Sequence, residues 1–195
     1  MAALRSPAGR RRLFVLMGAA LLAAPIPAAE DPLLAQSRDI ARDFGDRLRA
    51  ALQAAMVTGG PAGAVDICKE VAPQIASELS RTTGAQVGRT SLRVRNPRNL
   101  ATAWQADVLQ TFEAQAAADP VAAPEYFERL GDGEVRYMKA IPAAGLCLAC
   151  HGTALPEDVR GMLAELYPHD RAVGYEPGDV RGAFSIVWPA EREED

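Results

Sequence analysis

Helical and strand-forming patterns are segregated along this chain, and their order restricts the folds open to it. In the first half, apolar residues recur at every fourth position, as on one face of a helix: Ile40, Phe44, Leu48 and Leu52. The second half carries short runs around a Gly131-Asp132-Gly133 turn, which is typical of an antiparallel hairpin. Helices followed by antiparallel strands predict an α+β fold.

The predicted elements follow from turn residues and spacing. Gly59-Gly60-Pro61 should end a first helix over 31–58 and begin a second over 61–83, which Pro73 should kink or split. Further helices are predicted over 100–118 and 156–166. Strands are predicted over 86–94, 126–130, 134–141 and 182–188, with a loop between the last two that carries Cys147 and Cys150.

The first 29 residues have the parts of a secretory signal peptide. Four arginines and no acidic residue precede the apolar run Leu13 to Ala24, which is too short to span a bilayer as a helix. We therefore expect cleavage near Ala28 or Ala29 and a periplasmic or otherwise exported protein without a membrane span in the mature chain. Residues 30–189 would then form one domain, followed by a charged tail over 190–195.

Composition excludes several classes of protein. Residues 30–195 contain 17 basic and 25 acidic residues, a net charge of −8, so no nucleic-acid partner is expected. Three cysteines and two histidines are too few for a zinc ribbon or a disulfide scaffold. A length of 195 residues leaves room for one ordinary domain.

The chemistry of this sequence lies in Cys147-Leu148-Ala149-Cys150-His151. C-x-x-C-H is typical of c-type haem attachment, in which both thiols bond covalently to one haem and the histidine ligates the iron. A thioredoxin-like redox pair would need an α/β setting, and a structural disulfide is rare at this spacing. We therefore predict one covalent haem c, held through Cys147 and Cys150, with His151 as an iron ligand.

The second axial ligand is open from residue types alone. Cys68 is the odd cysteine of an exported chain, and thiolate sulfur ligates iron, but a small buried hydrophobe is an equally good interpretation of it. The other candidates by chemistry, besides an open position, are Met56, Met138, Met162, Lys139 and His169.

Arginines form a dense basic cluster in this acidic chain: Arg89, Arg93, Arg95 and Arg98. They are either a solvated strand edge or partners for haem propionates, because guanidinium binds carboxylate bidentately. On a strand that continues to Arg95, the odd-numbered residues share one face, which favours Arg89, Arg93 and Arg95 as cofactor-binding residues.

Several segments together resemble a known family, over about residues 40–189. They are Ala64 to Ala76, Gly88 to Asn99, Cys147 to Gly152, Tyr167-Pro168, Gly174-Tyr175, Gly178-Asp179 and Arg181 to Ala183. The resemblance is to the PAS-like mono-haem c-type domain family, long catalogued as a domain of unknown function. It implies a PAS-like antiparallel sheet with N-terminal and flanking helices, and iron ligated by His151 and Cys68.

This resemblance favours a haem-based redox or gas sensor, or a regulated redox centre. A thiolate ligand stabilises ferric iron, and a ligand that leaves on reduction would admit a small gas molecule. The partner would be a redox or signalling protein. The alternative is a periplasmic electron-transfer carrier with a methionine or another distal ligand. We expect no enzymatic activity, because a peroxidase needs an open distal site with an acid–base residue.

Overall fold

The computed structural model describes residues 30–119, 121 and 123–190. Helix α1 (Pro32–Asp66) continues through a π-helix (Ile67–Val71) into α2 (Ala72–Thr83), and β1 (Gln86–Thr90) leads to a 3-10 helix (Pro97–Asn99). Then come α3 (Ala103–Ala118), the hairpin β2 (Glu125–Arg129) and β3 (Val135–Pro142), α4 (Gly145–His151), α5 (Glu157–Leu166) and β4 (Val180–Trp188). Helices and an antiparallel sheet confirm the predicted α+β class.

The sheet has the order β1-β4-β3-β2, with every neighbouring pair antiparallel. The last strand of the chain therefore lies at the centre, between β1 and β3. Its pairing with β3 is interrupted near one end, because Ile141 pairs with Gly182 whereas Pro142 pairs with Val180. Arg181 is thus the extra residue of a β-bulge, a distortion that re-aims side chains and is frequent beside functional sites.

Helices cover both faces of this sheet. Tyr137 and Ile186 pack with Phe44 of α1 and Ile75 of α2 in one buried cluster. Residues of the opposite alternation, such as Met138, pack against α3 in a second cluster. A third cluster joins the end of α1 to α5 through Val65, Val159 and Leu163. Among the described residues, no helix is both long and apolar enough to cross a membrane.

Several sequence predictions need correction. The break predicted at Gly59-Gly60-Pro61 is confirmed, because Gly60 has the non-helical angles φ 61° and ψ −165°, so α1 consists of two helices joined at a kink, and only the end point at Thr58 shifts by one or two residues. The predicted strand over 86–94 stops at Thr90, because the chain bends away after a single bridge from Ser91 to Leu100. Residues 1–29 and 191–195 lie outside the described residues, so the signal peptide and the tail stay predictions.

Candidate functional site

The C-x-x-C-H motif lies on the short helix α4, not in the loop that the sequence predicted. Helix α4 follows β3 after two residues, and Ala143 is held by a backbone hydrogen bond to the carbonyl of Asp179, at 2.7 Å. Gly152 ends the helix, with its N–H 2.9 Å from the carbonyl of Leu148. A Cβ at position 152 would lie 2.6 Å from that carbonyl oxygen, so only glycine fits there.

The end of α4 is pinned by residues 170–175, which we call the return segment. Tyr175 N–H donates to the carbonyl of His151 and Gly174 N–H donates to the carbonyl of Gly152, both at 3.0 Å. Asp170 organises the return segment, because its Oδ1 accepts the N–H of Ala172 at 2.7 Å. The histidine of the motif is therefore fixed by backbone contacts on two sides.

His151 is oriented as a ligand that uses Nε2. Its ring is buried, with 8% of the residue exposed, and Nδ1 lies 2.5 Å from the carbonyl oxygen of Ala172. A carbonyl only accepts, so Nδ1 carries the proton and Nε2 keeps its lone pair. Nε2 forms no hydrogen bond with any described residue. Burial, followed by the positive charges of Arg181 and Arg95, lowers the pKa of His151 well below its usual value, so the imidazole is neutral.

The three cysteines are free thiols. Burial is the main cause that raises the pKa of Cys150, and the nearby Cys68 and Cys147 raise it further. The all-antiparallel sheet disfavours a thioredoxin-like centre, which belongs to an α/β setting. Cys68 stands 79 residues before Cys147 in the chain, yet the helix leading into it contacts the motif: Cys150 Sγ lies 3.6 Å from the carbonyl oxygen of Pro61, and Cys150 packs in the cluster of Val65.

Cys68 is carried by the π-helix, whose wider turn has a local cause. Pro73 has no N–H to donate to the carbonyl of Lys69, and its ring would collide with that carbonyl. The chain instead closes a longer bond, from Ala72 N–H to the carbonyl of Ile67. π-Helical turns inside α-helices are frequent at functional sites. The split that the sequence predicted at Pro73 is therefore a widened turn, and it places the half-buried Cys68 within it.

The arginine cluster predicted from the sequence divides into distinct environments. Arg95 is buried, and donates from Nε to Asp170 at 2.9 Å and from Nη2 to the carbonyl of Cys150 at 2.6 Å. Arg93 lies over the ring of Tyr175, with 3.7 Å between Cζ and the ring centroid. Arg89 lies 5.8 Å from the ring centroid of Phe44. Because the strand ends at Thr90, these side chains do not share a strand face.

Sequence reasoning missed Arg181 as a site residue. The charge of its guanidinium lowers the pKa of His151 more than any other charge does, and burial lowers the pKa of Arg181 itself. Nη1 donates to Ser91 Oγ at 3.3 Å and to the carbonyl of Arg93 at 3.5 Å. Its Nε is the one buried side-chain polar atom of the described residues without a hydrogen-bond partner. The only sequence signal was its place beside Gly182, in a segment matched to the family.

The remaining candidates for the second axial ligand are separated by the fold. Met138 is fully buried in the cluster beneath α3, and Lys139 lies 3.8 Å from Glu125. His169 is exposed in a turn. Met162 packs in the cluster that also contains Cys150, and Met56 is half-buried on α1, the helix that contacts Cys150 through Pro61.

Two concave regions meet beside the motif. A cavity of about 640 Å³ begins at Gly152 and is lined by Leu163, Tyr167 and Gly174 among others. A wider groove of about 1040 Å³ runs along Lys69 and Pro73 and past Arg89. Tyr167 lines both, which makes them neighbouring parts of one surface.

Fold and motif together define an α+β domain with a cysteine–histidine site at the end of its central sheet. The chain belongs to the Tll0287-like family, whose sequence model matches residues 24–189, and this match confirms the family resemblance seen in the sequence. The fold is similar to the crystal structure of the cyanobacterial heme-protein Tll0287, at a TM-score of 0.67 and 23% identity. That likeness covers 85% of this chain and 100% of the other. No curated protein matches the chain.

Proposed function

We propose that this protein binds one haem c through Cys147 and Cys150, with His151 as the proximal iron ligand. The observation that carries the proposal is the geometry of His151, whose Nδ1 is committed to Ala172 while Nε2 stays free. Metal-ligating histidines characteristically donate their other ring N–H in this way. The solved relative is itself a heme-protein. Each thiol would add across one vinyl group, sulfur to one carbon and hydrogen to the other.

The residues around the motif fit such a group. A neutral imidazole and two free thiols one helical turn apart supply ligand and attachment, and a cavity of about 640 Å³ begins at the residue after the motif, Gly152. The buried Nε of Arg181 lacks a partner among the described residues, and haem carries acidic groups that match it. Arg89, Arg93 and Arg95 stay candidates for those groups. The Nε and Nη2 donors of Arg95 are already bonded to Asp170 and to the carbonyl of Cys150.

Cys68 is the distal ligand in this proposal. It is a half-buried free thiol in a widened helical turn. A bound haem supplies a one-electron couple and, when one axial position is free, a place for a small gas ligand. Thiolate character at Cys68 favours the ferric state, and protonation of its sulfur removes the ligand. The protein would therefore act as an exported redox or gas sensor, or as a regulated redox centre, with a redox or signalling protein as partner.

Absorption spectra test this proposal. The periplasmically matured protein is compared, oxidised and reduced, with Cys68→Ala and with Met162→Leu as the matched control. We expect a covalent haem with low-spin thiolate bands in the ferric state, lost in Cys68→Ala and kept in Met162→Leu. We also expect the ferrous protein to bind CO. Absence of covalent haem would contradict the attachment site, and an unchanged Cys68→Ala spectrum would contradict the distal ligand.

The electron-transfer carrier is the second candidate, favoured by one contact. Met162 lies half-buried in the cluster that holds Cys150, on the helix that follows the motif. A methionine ligand raises the reduction potential and stays bound in both redox states. In that case Met162→Leu, and not Cys68→Ala, would change the ferric spectrum, and CO would not bind.

A further inference from the structure

Arg181 presents one edge of its guanidinium without a partner. The Nη1 side is fixed by Ser91 and by the carbonyl of Arg93, whereas Nε is buried and unpartnered and Nη2 bonds to no described residue. Nε and Nη2 together form the side-on edge of arginine, the edge that binds a carboxylate with two parallel hydrogen bonds. The β-bulge at Arg181 re-aims this side chain relative to the regular alternation of β4.

The charges around this edge are not balanced by the chain. Among the described residues, Arg89, Arg93 and Arg181 form no ion pair with any carboxylate. Arg89 and Arg95 both lower the pKa of Arg181 through their positive charge, so two further guanidinium groups lie within electrostatic range of Arg181. A buried cation without a counter-charge costs several kcal/mol. The arrangement is stable when an anion with planar oxygen pairs completes it.

Resting on the haem-binding function proposed above, we propose that Arg181 binds a haem propionate through its Nε–Nη2 edge. The geometry supports this assignment, because one ring lies between Arg181 and His151, which would ligate the iron of the same group: the Tyr175 centroid is 5.3 Å from Cζ of Arg181 and 6.3 Å from the ring centroid of His151. Arg95 cannot take this role without losing Asp170, since its own side-on edge is filled. Arg181 did not belong to the arginine cluster predicted from the sequence, yet it is better placed for a propionate than the members of that cluster.

The test uses the haem-loaded protein and two readouts, the midpoint potential and the propionate bands of the resonance Raman spectrum. Arg181→Gln removes the charge and one donor, Arg181→Lys keeps the charge without the fork, and Arg98→Gln is the control. Arg98 is exposed on the 3-10 helix, and its side chain bonds to no described residue. Circular dichroism checks the fold of each variant.

We expect Arg181→Gln to change the ratio of oxidised to reduced protein at a fixed potential by about tenfold, a 59 mV shift to lower potential for one electron. The propionate bands should move in both Arg181 variants, while the potential moves little in Arg181→Lys. Arg98→Gln should change neither. Propionate bands that are identical in wild type and Arg181→Lys would overturn the assignment, and this remains measurable if Arg181→Gln fails to fold.

Two other results separate the possible causes. If added succinate shifts the potential of the wild type and not of Arg181→Gln, the edge binds a free dicarboxylate and the haem assignment is overturned. If the purified protein carries no covalent haem, the proposed function itself fails. If haem is present and Arg181 has no influence on either readout, only this inference fails.

Discussion

Arg95 and Arg181 flank the C-x-x-C-H helix, the first buried and the second half-buried, and they differ in what binds the Nε–Nη2 edge of each guanidinium. Arg95 donates from Nε to Asp170 and from Nη2 to the carbonyl of Cys150, so its charge and donors are satisfied within the chain. Arg181 lies across the same site, yet its Nε has no partner among the described residues. Arg95 is therefore part of the framework of the site, whereas Arg181 keeps a donor unpaired by the described residues, to which the proposal above assigns a haem propionate.

Arg95, whose donors are bonded within the chain, acts on the motif through a short series of hydrogen bonds. Arg95 holds Asp170, Asp170 holds the N–H of Ala172, and the Ala172 carbonyl orients His151. Both members of the ion pair are nearly buried, with 6% and 10% of their side chains exposed. Arg95 is therefore a positioning residue for the histidine, irrespective of any contact with a cofactor.

The largest expected effect comes from breaking that pair. Asp170→Ala leaves the guanidinium of Arg95 buried without its carboxylate, which should destabilise the protein by about 3–5 kcal/mol. Urea unfolding measures this change. Asp39→Ala is the control, because Asp39 pairs with Arg42 on the exposed face of α1, and its loss should be barely measurable. Equal effects of the two substitutions would show that the Arg95–Asp170 pair is no more than a surface contact.

A smaller effect is expected where the backbone places Arg181. Gly182 has φ +157°, and a Cβ there would lie 2.5 Å from the carbonyl oxygen of Thr90 and 3.2 Å from Cβ of Ser91. Gly182→Ala should force β4 away from β1 and destabilise the protein by about 1–3 kcal/mol. Gly88→Ala is the matched control on β1, since a Cβ there meets nothing within 4 Å. If thermal unfolding gives the same midpoint for both variants, the close approach is not needed.

Replacing each arginine by methionine should change the free energy of unfolding in opposite directions. In full-length chain produced without haem, Arg181→Met should raise stability by about 1 kcal/mol, because it removes a buried cation without a counter-charge. Arg95→Met should lower stability, because it abandons Asp170. Urea midpoints of the two variants give the comparison. Destabilisation of the haem-free chain by Arg181→Met would mean that the chain itself satisfies this guanidinium.

Much of the fold was accessible from patterns alone. The four-residue spacing of α1 and the Gly131-Asp132-Gly133 hairpin both reflect local physics, and both are confirmed. What local patterns do not encode is where the sheet stops being regular. The choice of Arg89, Arg93 and Arg95 required side chains to alternate between the faces of a strand that continues to Arg95. Strand β1 instead ends at Thr90, because Ser91 pairs outside the sheet with Leu100.

In the candidate site, too, local features could be predicted from the sequence, whereas features that depend on the tertiary structure could not. The motif residues were singled out by residue type and spacing, whereas Cys68 was singled out only by the family resemblance, because residue types alone left the second axial ligand open. Arg181 was missed because its importance depends on a bulge opposite Ile141 and Pro142, which lie about 40 residues away in the chain. The roles of Arg95 and Asp170 were likewise invisible, since 75 residues separate two partners whose pairing only the tertiary structure establishes.

The smallest effect is expected from a third arginine, whose carboxylate partner is only partly buried. Arg38 donates from Nε to both oxygens of Glu125, at 3.0 and 3.1 Å, and Tyr137 O–H donates to Glu125 at 3.0 Å. The hydrogen bond from Arg38 is the main cause that holds the pKa of Glu125 below its usual value of 4.5. A lowered pKa in the folded state stabilises the protein above the unfolded pKa, and this contribution disappears as pH falls through the folded value.

The free energy of unfolding should therefore still decrease as pH falls from about 5 to 3 in Glu125→Gln, but by less than in the wild type. Urea midpoints over this range measure the slope, and Glu113→Gln on the exposed face of α3 is the control, with no change expected. The effect should be slight because the side chains of Arg38 and Glu125 are 38% and 26% exposed, so solvent screens their attraction. If Glu125→Gln altered stability as much as Asp170→Ala, the burial of the Arg95–Asp170 pair would not explain its contribution to stability. The contrast between Arg95 and Arg181 would then need another explanation.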